Sequence, residues 1–281
     1  MRSSNPADDA QAPEAAPPLL ELRGLTKRFA DPKQGERTVV ENLDLDLPPG
    51  EFCALIGPTG CGKSTVLSMI AGLERPSSGT ILAGGAQLTG IDPRTGFVFQ
   101  NDAVFPWKTV LANIAIGPRF RGVDRQTAIE LAHEWIIRVG LEGFEQHYPH
   151  QLSGGMRKRV ALAQTFVNRP KILLMDEPFS GLDAQTRQIM AGELLGLCGS
   201  LGASVLFVTH DLEEAIALAD RVVVLTARPT TVKKEFIVEL PRPRSPREIR
   251  FDPRFVRLHE EIWSCLSDEV QIAYARATAA H

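Results

Sequence analysis

Two apolar textures alternate along the chain. Phe52–Ile56 (FCALI), Lys171–Met175 (KILLM), Ser204–Val208 (SVLFV) and Arg221–Leu225 (RVVVL) are short, nearly unbroken apolar runs of strand length. Such runs predict strands covered on both faces. Val39–Leu47 (VVENLDLDL) instead alternates apolar and acidic residues, the mark of a half-exposed strand. Leu19–Leu25, Gly79–Leu82 and Gly96–Gln100 (GFVFQ) give weaker strand signals, and Pro48-Pro49-Gly50 marks a turn. Helical spacing runs through Ser64–Ala71, Ser153–Val167, Thr186–Leu197 and Asp211–Ala219. From Asn101 to Gln151 the strand texture lapses and two helices are expected, Thr109–Ile116 and Thr127–Val139. Beyond Arg228 the chain turns basic and Pro-rich (PRPRSPREIR) and closes with a helix over Phe255–Leu266. Strands that alternate with helices imply an α/β fold around a mostly parallel sheet, here with an inserted helical subdomain.

The chain has 281 residues, 43% of them hydrophobic, which suffices for one large or two modest domains. Its net charge of −3 argues against a nucleic-acid partner. The four cysteines, Cys53, Cys61, Cys198 and Cys265, form no C-x-x-C pair, which fits a reducing compartment without a disulfide framework or zinc site. No run reaches the ~18 apolar residues of a membrane span. The Pro/Ala-rich first 18 residues lack a secretory h-region and read as a disordered tail, so any membrane link must come through a partner.

Between the first buried strand and the helix after it lies Gly57-Pro58-Thr59-Gly60-Cys61-Gly62-Lys63-Ser64-Thr65, which fits G-x-x-x-x-G-K-[ST]. Glycines let this backbone curl until its N–H groups point at phosphate oxygens, and the helix start adds a positive dipole end. Lys63 is expected to reach the β- and γ-phosphates, and the Ser64 hydroxyl to ligate Mg²⁺. Cys61 is either a thiolate favoured by the helix start or a loop position tolerant of small residues. A second charged feature, Asp176-Glu177, follows four buried apolar residues, a costly place for acids without a function. Asp176 is expected to hold Mg²⁺ through its water shell, and Glu177 to act as general base on the attacking water. His210 and Gln100 both stand at strand ends. His210 could sense a γ-phosphate or simply cap its strand, and Gln100 is equally open.

Leu152-Ser153-Gly154-Gly155-Met156 resembles the signature motif of ATP-binding cassette (ABC) ATPases. The remaining motifs resemble that family's in its own order. Gly57–Thr65 corresponds to Walker A, Gln100 to the Q-loop, Asp176–Glu177 to the Walker B end, Ser180-Gly181-Leu182-Asp183 to the D-loop and His210 to the switch histidine. The resemblance covers about residues 19–228. It implies a P-loop NTPase core with a mostly parallel sheet, an antiparallel β edge and an inserted α-helical subdomain. The expected division is a tail over 1–18, a core over 19–100 and 159–228, a helical subdomain with the signature over 101–158, and an extension over 229–281. The cofactors implied are ATP and Mg²⁺, with Ser64, Gln100 and Asp176 around the metal. Lys63, Glu177 and His210 are the implied catalytic set. Ser153, Gly154 and Gly155 are implied to bind the ATP of a second copy in a head-to-tail dimer, with Asp183 coupling the two sites. Phe29 is either the aromatic stacked on adenine or a core aromatic beside a turn.

Met156, Lys158, Gln164 and Gly181 depart from residues common in the family; none removes a catalytic group, and Gln164 alters a helix-surface position, which puts interface strength in question. The stretch QNDAVFPWKTVLANIAIG, Met156 and the C-terminal tail resemble the importer branch serving nitrate, taurine and aliphatic sulfonates. Phe105, Pro106 and Trp107 then either meet a membrane permease or pack inside the helical subdomain. The expectation is a peripheral ATPase subunit at the cytoplasmic face of the inner membrane. It would work with permease subunits and, indirectly, a substrate-binding protein, and without nucleic acid. The alternatives are a soluble ABC ATPase acting on DNA or ribosomes, and a nucleotide-binding regulator without turnover.

Overall fold

The computed structural model describes residues 17–31 and 35–278. Apart from Pro17 and Pro18, the tail expected over 1–18 lies outside the described residues. β1 (Leu20–Asp31) and β2 (Gly35–Leu47) are followed by β3 (Phe52–Ile56), α1 (Lys63–Ile70), β4 (Ser78–Ala83), β5 (Ala86–Gln87) and β6 (Thr95–Val98). Three helices come next: α2 (Val110–Phe120), α3 (Arg125–Arg138) and α4 (Gly154–Phe166). Alternation then resumes with β7 (Ile172–Asp176), α5 (Ala184–Leu201), β8 (Ser204–Val208), α6 (Leu212–Leu218) and β9 (Arg221–Leu225). β10 (Val232–Ile237) and α7 (Pro253–Thr278) complete the chain.

Two sheets result. One is antiparallel, in the order β2-β1-β4-β5. The other has six strands in the order β10-β9-β3-β8-β7-β6, parallel throughout except for β10. The central strands are buried on both faces, and their period of two sorts alternate residues into two cores. Phe52, Ala54 and Ile56 of β3 face a core shared with α4, α5, α6, α7 and the inserted helices. Cys53 and Leu55 face a second core built with α1 and the antiparallel sheet. This is why FCALI reads as continuous apolar sequence. β2, by contrast, covers one face only: Leu43, Leu45 and Leu47 are buried while Asp44 and Asp46 are exposed.

The helical insert is fixed to the first core by Trp135 of α3, whose ring lies 5.8 Å from that of Phe166 on α4. β10 adds an antiparallel edge, an element the basic, Pro-rich reading of that region does not anticipate. Its sequence, VKKEFI, buries only Phe236 fully, and charged residues protect the outer edge from pairing. The last helix runs twelve residues past the expected Leu266, with Phe255, Ile262 and Leu266 seated in the first core.

Candidate active site

The phosphate loop joins the end of β3 to α1, so the strand aims it and the helix N-terminus closes it. Gly62 caps α1 at φ 135°, and a Cβ there would lie 2.9 Å from Thr230 Oγ1 and 3.0 Å from Val39 Cγ1. Any side chain at this position would therefore clash as well as strain the backbone. Lys63 is buried, and its Nζ donates to the carbonyls of Gly57 (2.8 Å) and Pro58 (3.0 Å). Two further groups brace the loop from the segment after β9: Thr230 Oγ1 donates to the Cys61 carbonyl, and Arg228 Nη2 to that of Gly60. Neither was singled out in the sequence, because the contact spans about 170 positions of chain and only the β3–β9 pairing creates it.

Asp176 ends β7 beside this loop. Burial raises its pKa, a hydrogen bond with Ser64 pulls it down, the adjacent Glu177 raises it, and Lys63 lowers it; the net direction is up. The donors here are a hydroxyl and a carboxylate, hard oxygens suited to Mg²⁺. A cation would reverse the push that burial puts on Asp176. Among the described residues no cluster of three or more His, Cys, Asp or Glu is placed to hold a metal ion.

Glu177 has φ 44°, in the left-handed region that non-glycine residues seldom adopt, and its N–H donates to the Val208 carbonyl at 2.9 Å. This bend turns its carboxylate toward two partners. Gln100 Nε2 donates to Glu177 Oε2 at 3.0 Å, and His210 Nδ1 stands 3.3 Å from the same oxygen. Three residues from the ends of β6, β7 and β8 thus meet at one atom. Gln100 itself lies two residues past β6 rather than within the strand, which frees its side chain to reach across.

His210 is positioned from behind. Thr209 Oγ1 donates to Glu214 Oε2 (2.7 Å) and accepts from the Asp211 N–H (3.0 Å). Burial pushes the Glu214 carboxyl up to about 7, against the weaker pull of Thr209 and Arg187. Sequence reading passed over Glu214 as part of an acidic helix.

Ser153 caps α4, its Oγ accepting from the Met156 N–H at 3.2 Å, and it is exposed. Asp183 caps α5 through Gln185 N and Thr186 N. These hydrogen bonds, with one from the Thr186 hydroxyl, hold the Asp183 carboxyl below its usual range. The two helix starts adjoin: a Cβ on Gly155 would lie 3.3 Å from Thr186 Cγ2. Among the described residues no hydrogen bond joins Ser153 or Asp183 to the phosphate loop of the same chain. The Lys158 departure finds a role here. Its buried Nζ donates to the Gln100 carbonyl at 2.6 Å and pairs with Asp102 at 3.2 Å, which also holds Arg157 at 3.3 Å.

Phe29 is 38% exposed, with Lys27 Nζ 4.7 Å from its ring centre, so it is no core aromatic. The Phe105–Trp107 stretch divides: Trp107 is 69% exposed and Pro106 exposed, whereas Phe105 is half-buried. Asn113, fully buried, shapes that loop by bonding the Phe105 N–H (2.7 Å) and the carbonyls of Lys108 and Thr109.

Comparison with known proteins identifies the family. The ABC transporter family matches residues 40–180. The nitrate import ATP-binding protein NrtD of Synechocystis sp. is 40% identical over 252 residues, 88% of this chain and 94% of the relative. The aliphatic sulfonates import ATP-binding protein SsuB 1 of Xanthomonas axonopodis pv. citri is 44% identical over 79% of this chain and 88% of its own length. The taurine import ATP-binding protein TauB of Escherichia coli O157:H7 is 39% identical over 82% and 92%. A solved dimeric ATP-binding cassette, MJ0796, in a post-hydrolysis state bound to ADP and Pi, superposes with a TM-score of 0.69 at 30% identity, covering 79% of this chain and all of that one.

Proposed function

The chain belongs to the ABC transporter family of ATP-hydrolysing subunits, and from that premise we propose that it powers import of a small anion such as nitrate, taurine or an aliphatic sulfonate. The observation that carries the proposal is the meeting of Gln100 and His210 on one carboxylate oxygen of Glu177, beside Lys63, Ser64 and Asp176. Lys63 and the N–H groups of the loop hold the β- and γ-phosphates. Ser64, Asp176 and Gln100 carry Mg²⁺, which supplies charge neutralisation on the phosphates. Glu177 orients and deprotonates the attacking water, and His210 reads the γ-phosphate. Phe29 stacks on adenine.

Ser153 and the Gly154 and Gly155 N–H groups form a second anion-binding helix start that their own loop does not use. They complete the site of a second copy, arranged head to tail, and Asp183 links the two sites. The named relatives are importers, which favours this reading over an ATPase acting on DNA or ribosomes. The permease docks at the groove of about 500 Å³ between α2 and α3, rimmed by Lys108 and Arg125 and flanked by exposed Phe120 and Trp107. A separate binding protein selects the cargo. Among the described residues no helix is long and apolar enough to cross a membrane. In this reading the chain reaches the membrane through its permease, peripherally and at the cytoplasmic face.

The test is Mg²⁺-ATP hydrolysis by the wild-type chain and Glu177→Gln, together with co-purification of a permease from the source cell. Turnover lost in the variant and a permease retained by both proteins are expected. Full turnover in Glu177→Gln, or association with ribosomes or DNA instead, would overturn the reading.

A further inference from the structure

Three guanidinium groups converge on the outer wall of the phosphate loop. Arg37 of β2, Arg228 after β9 and Arg276 near the end of α7 line one open cleft of about 520 Å³, whose floor includes Gly60 and Cys61. Among the described residues no carboxylate lines it. Glu269, on the same helix as Arg276, is committed elsewhere, accepting from the Ala227 N–H at 2.7 Å and pairing with Lys233 at 2.9 Å.

Two of the three cations are held by hydrogen bonds. Arg228 Nη2 donates to the Gly60 carbonyl, and Arg276 Nη1 donates to the Arg228 carbonyl. Arg276 also arrives on a rigid element, since α7 is anchored through Phe255, Ile262 and Leu266. Arg228 Nε is buried without a hydrogen-bond partner. Burial and the nearby Arg37 charge both pull the Arg228 pKa down. Like charges gathered without a counter-ion repel, whereas planar guanidinium forks match oxyanions in shape and charge.

We propose that this cleft is a further anion site, apart from the phosphate loop and the Ser153 helix start, that takes a small oxyanion of the nitrate, sulfonate, sulfate or phosphate class and reports it to the phosphate loop through Arg228 and Gly60. The anion draws the Arg228 fork from the Gly60 carbonyl and cancels positive charge beside the loop, so ATP binds less well. Both ligands can be bound at once, and linkage makes their coupling reciprocal and finite. The inference rests on the ATPase reading for its kinetic arm but not for its binding arm.

The binding arm is calorimetry of the full chain, free of nucleotide, titrated with sulfate, nitrate, methanesulfonate or phosphate against chloride at matched ionic strength. A saturable component that is present in the wild-type chain and lost in Arg37→Ala/Arg276→Ala is expected, and the order of its affinities distinguishes a cargo-like anion from phosphate. The kinetic arm follows the KM for ATP as the anion rises. An increase of about fivefold that then levels off is expected, with kcat unchanged. Absence of binding above chloride, a binding isotherm unchanged in the double variant, or a KM that climbs without limit would each overturn the proposal; the last would place the anion in the nucleotide site itself. Should the chain lack ATPase activity, the binding arm still decides.

Discussion

Glu177 and Glu214 are carboxylates of one strand-end cluster, set apart by their surroundings. Glu177 is bent by its left-handed backbone into contact with Gln100 and His210, the place of the proposed general base. Glu214, half-buried, accepts from Thr209 next to His210, and burial raises its carboxyl from 4.5 to about 7. The folded chain therefore holds an extra proton at Glu214 between those values. This stabilisation is present at low pH and is lost as pH rises through the window. Glu214→Gln should flatten that part of the profile and stabilise the chain at pH 8 by up to about 3 kcal/mol. Urea unfolding at a series of pH values checks this; a slope unchanged from wild type would contradict it. The motif residues were legible one by one because loop, strand-end acids and signature each carry their own local chemistry. The supporting groups Thr230, Arg228 and Glu214 were not, since each acts only through a partner that folding brings near.

Among the elements, β3 and α1 were readable because apolar period and glycine loop agree, and β3, β8 and β9 match their apolar runs residue for residue. β10 was hidden by the charges that protect an edge strand. The end of α7 was hidden because its later turns bury few residues fully. The element that matters most for the site is α4. Lys158 ties it to the backbone of Gln100, whose side chain touches Glu177, so one lysine links α4 to the Glu177 carboxylate. Lys158→Met should strip Asp102 and the Gln100 carbonyl of a buried cation and lower kcat about tenfold to a hundredfold by misplacing Gln100. Nucleotide affinity of the phosphate loop should hold, and Lys158→Arg should restore part of the rate. Steady-state kinetics beside a fluorescent-nucleotide titration separates this from general destabilisation, which would weaken both.

At the scale of the whole molecule, the chain after β9 is built into the core. Arg221, the first residue of β9, is buried and bonds Glu51 (2.9 Å), Glu235 (2.7 Å) and the Asp46 carbonyl (2.6 Å), joining β9 to β2, to β10 and to the residue before β3. Burial disfavours its charge, but the hydrogen bonds with Glu51 and Glu235 outweigh that and raise its pKa. Arg221→Ala leaves Glu51 partly buried without its cation and should cost about 3–5 kcal/mol, seen as an earlier unfolding midpoint in urea. A shift under 1 kcal/mol would show the network to be dispensable. The larger claim concerns two molecules, because Ser153 presents an anion-binding helix start that no group of its own phosphate loop engages. Its most direct measure is sedimentation of Glu177→Gln with saturating Mg²⁺-ATP. The account predicts a dimer that binds two nucleotides and reverts to monomer on Ser153→Arg; a chain that stays monomeric with ATP bound, or a dimer indifferent to Ser153, would contradict it.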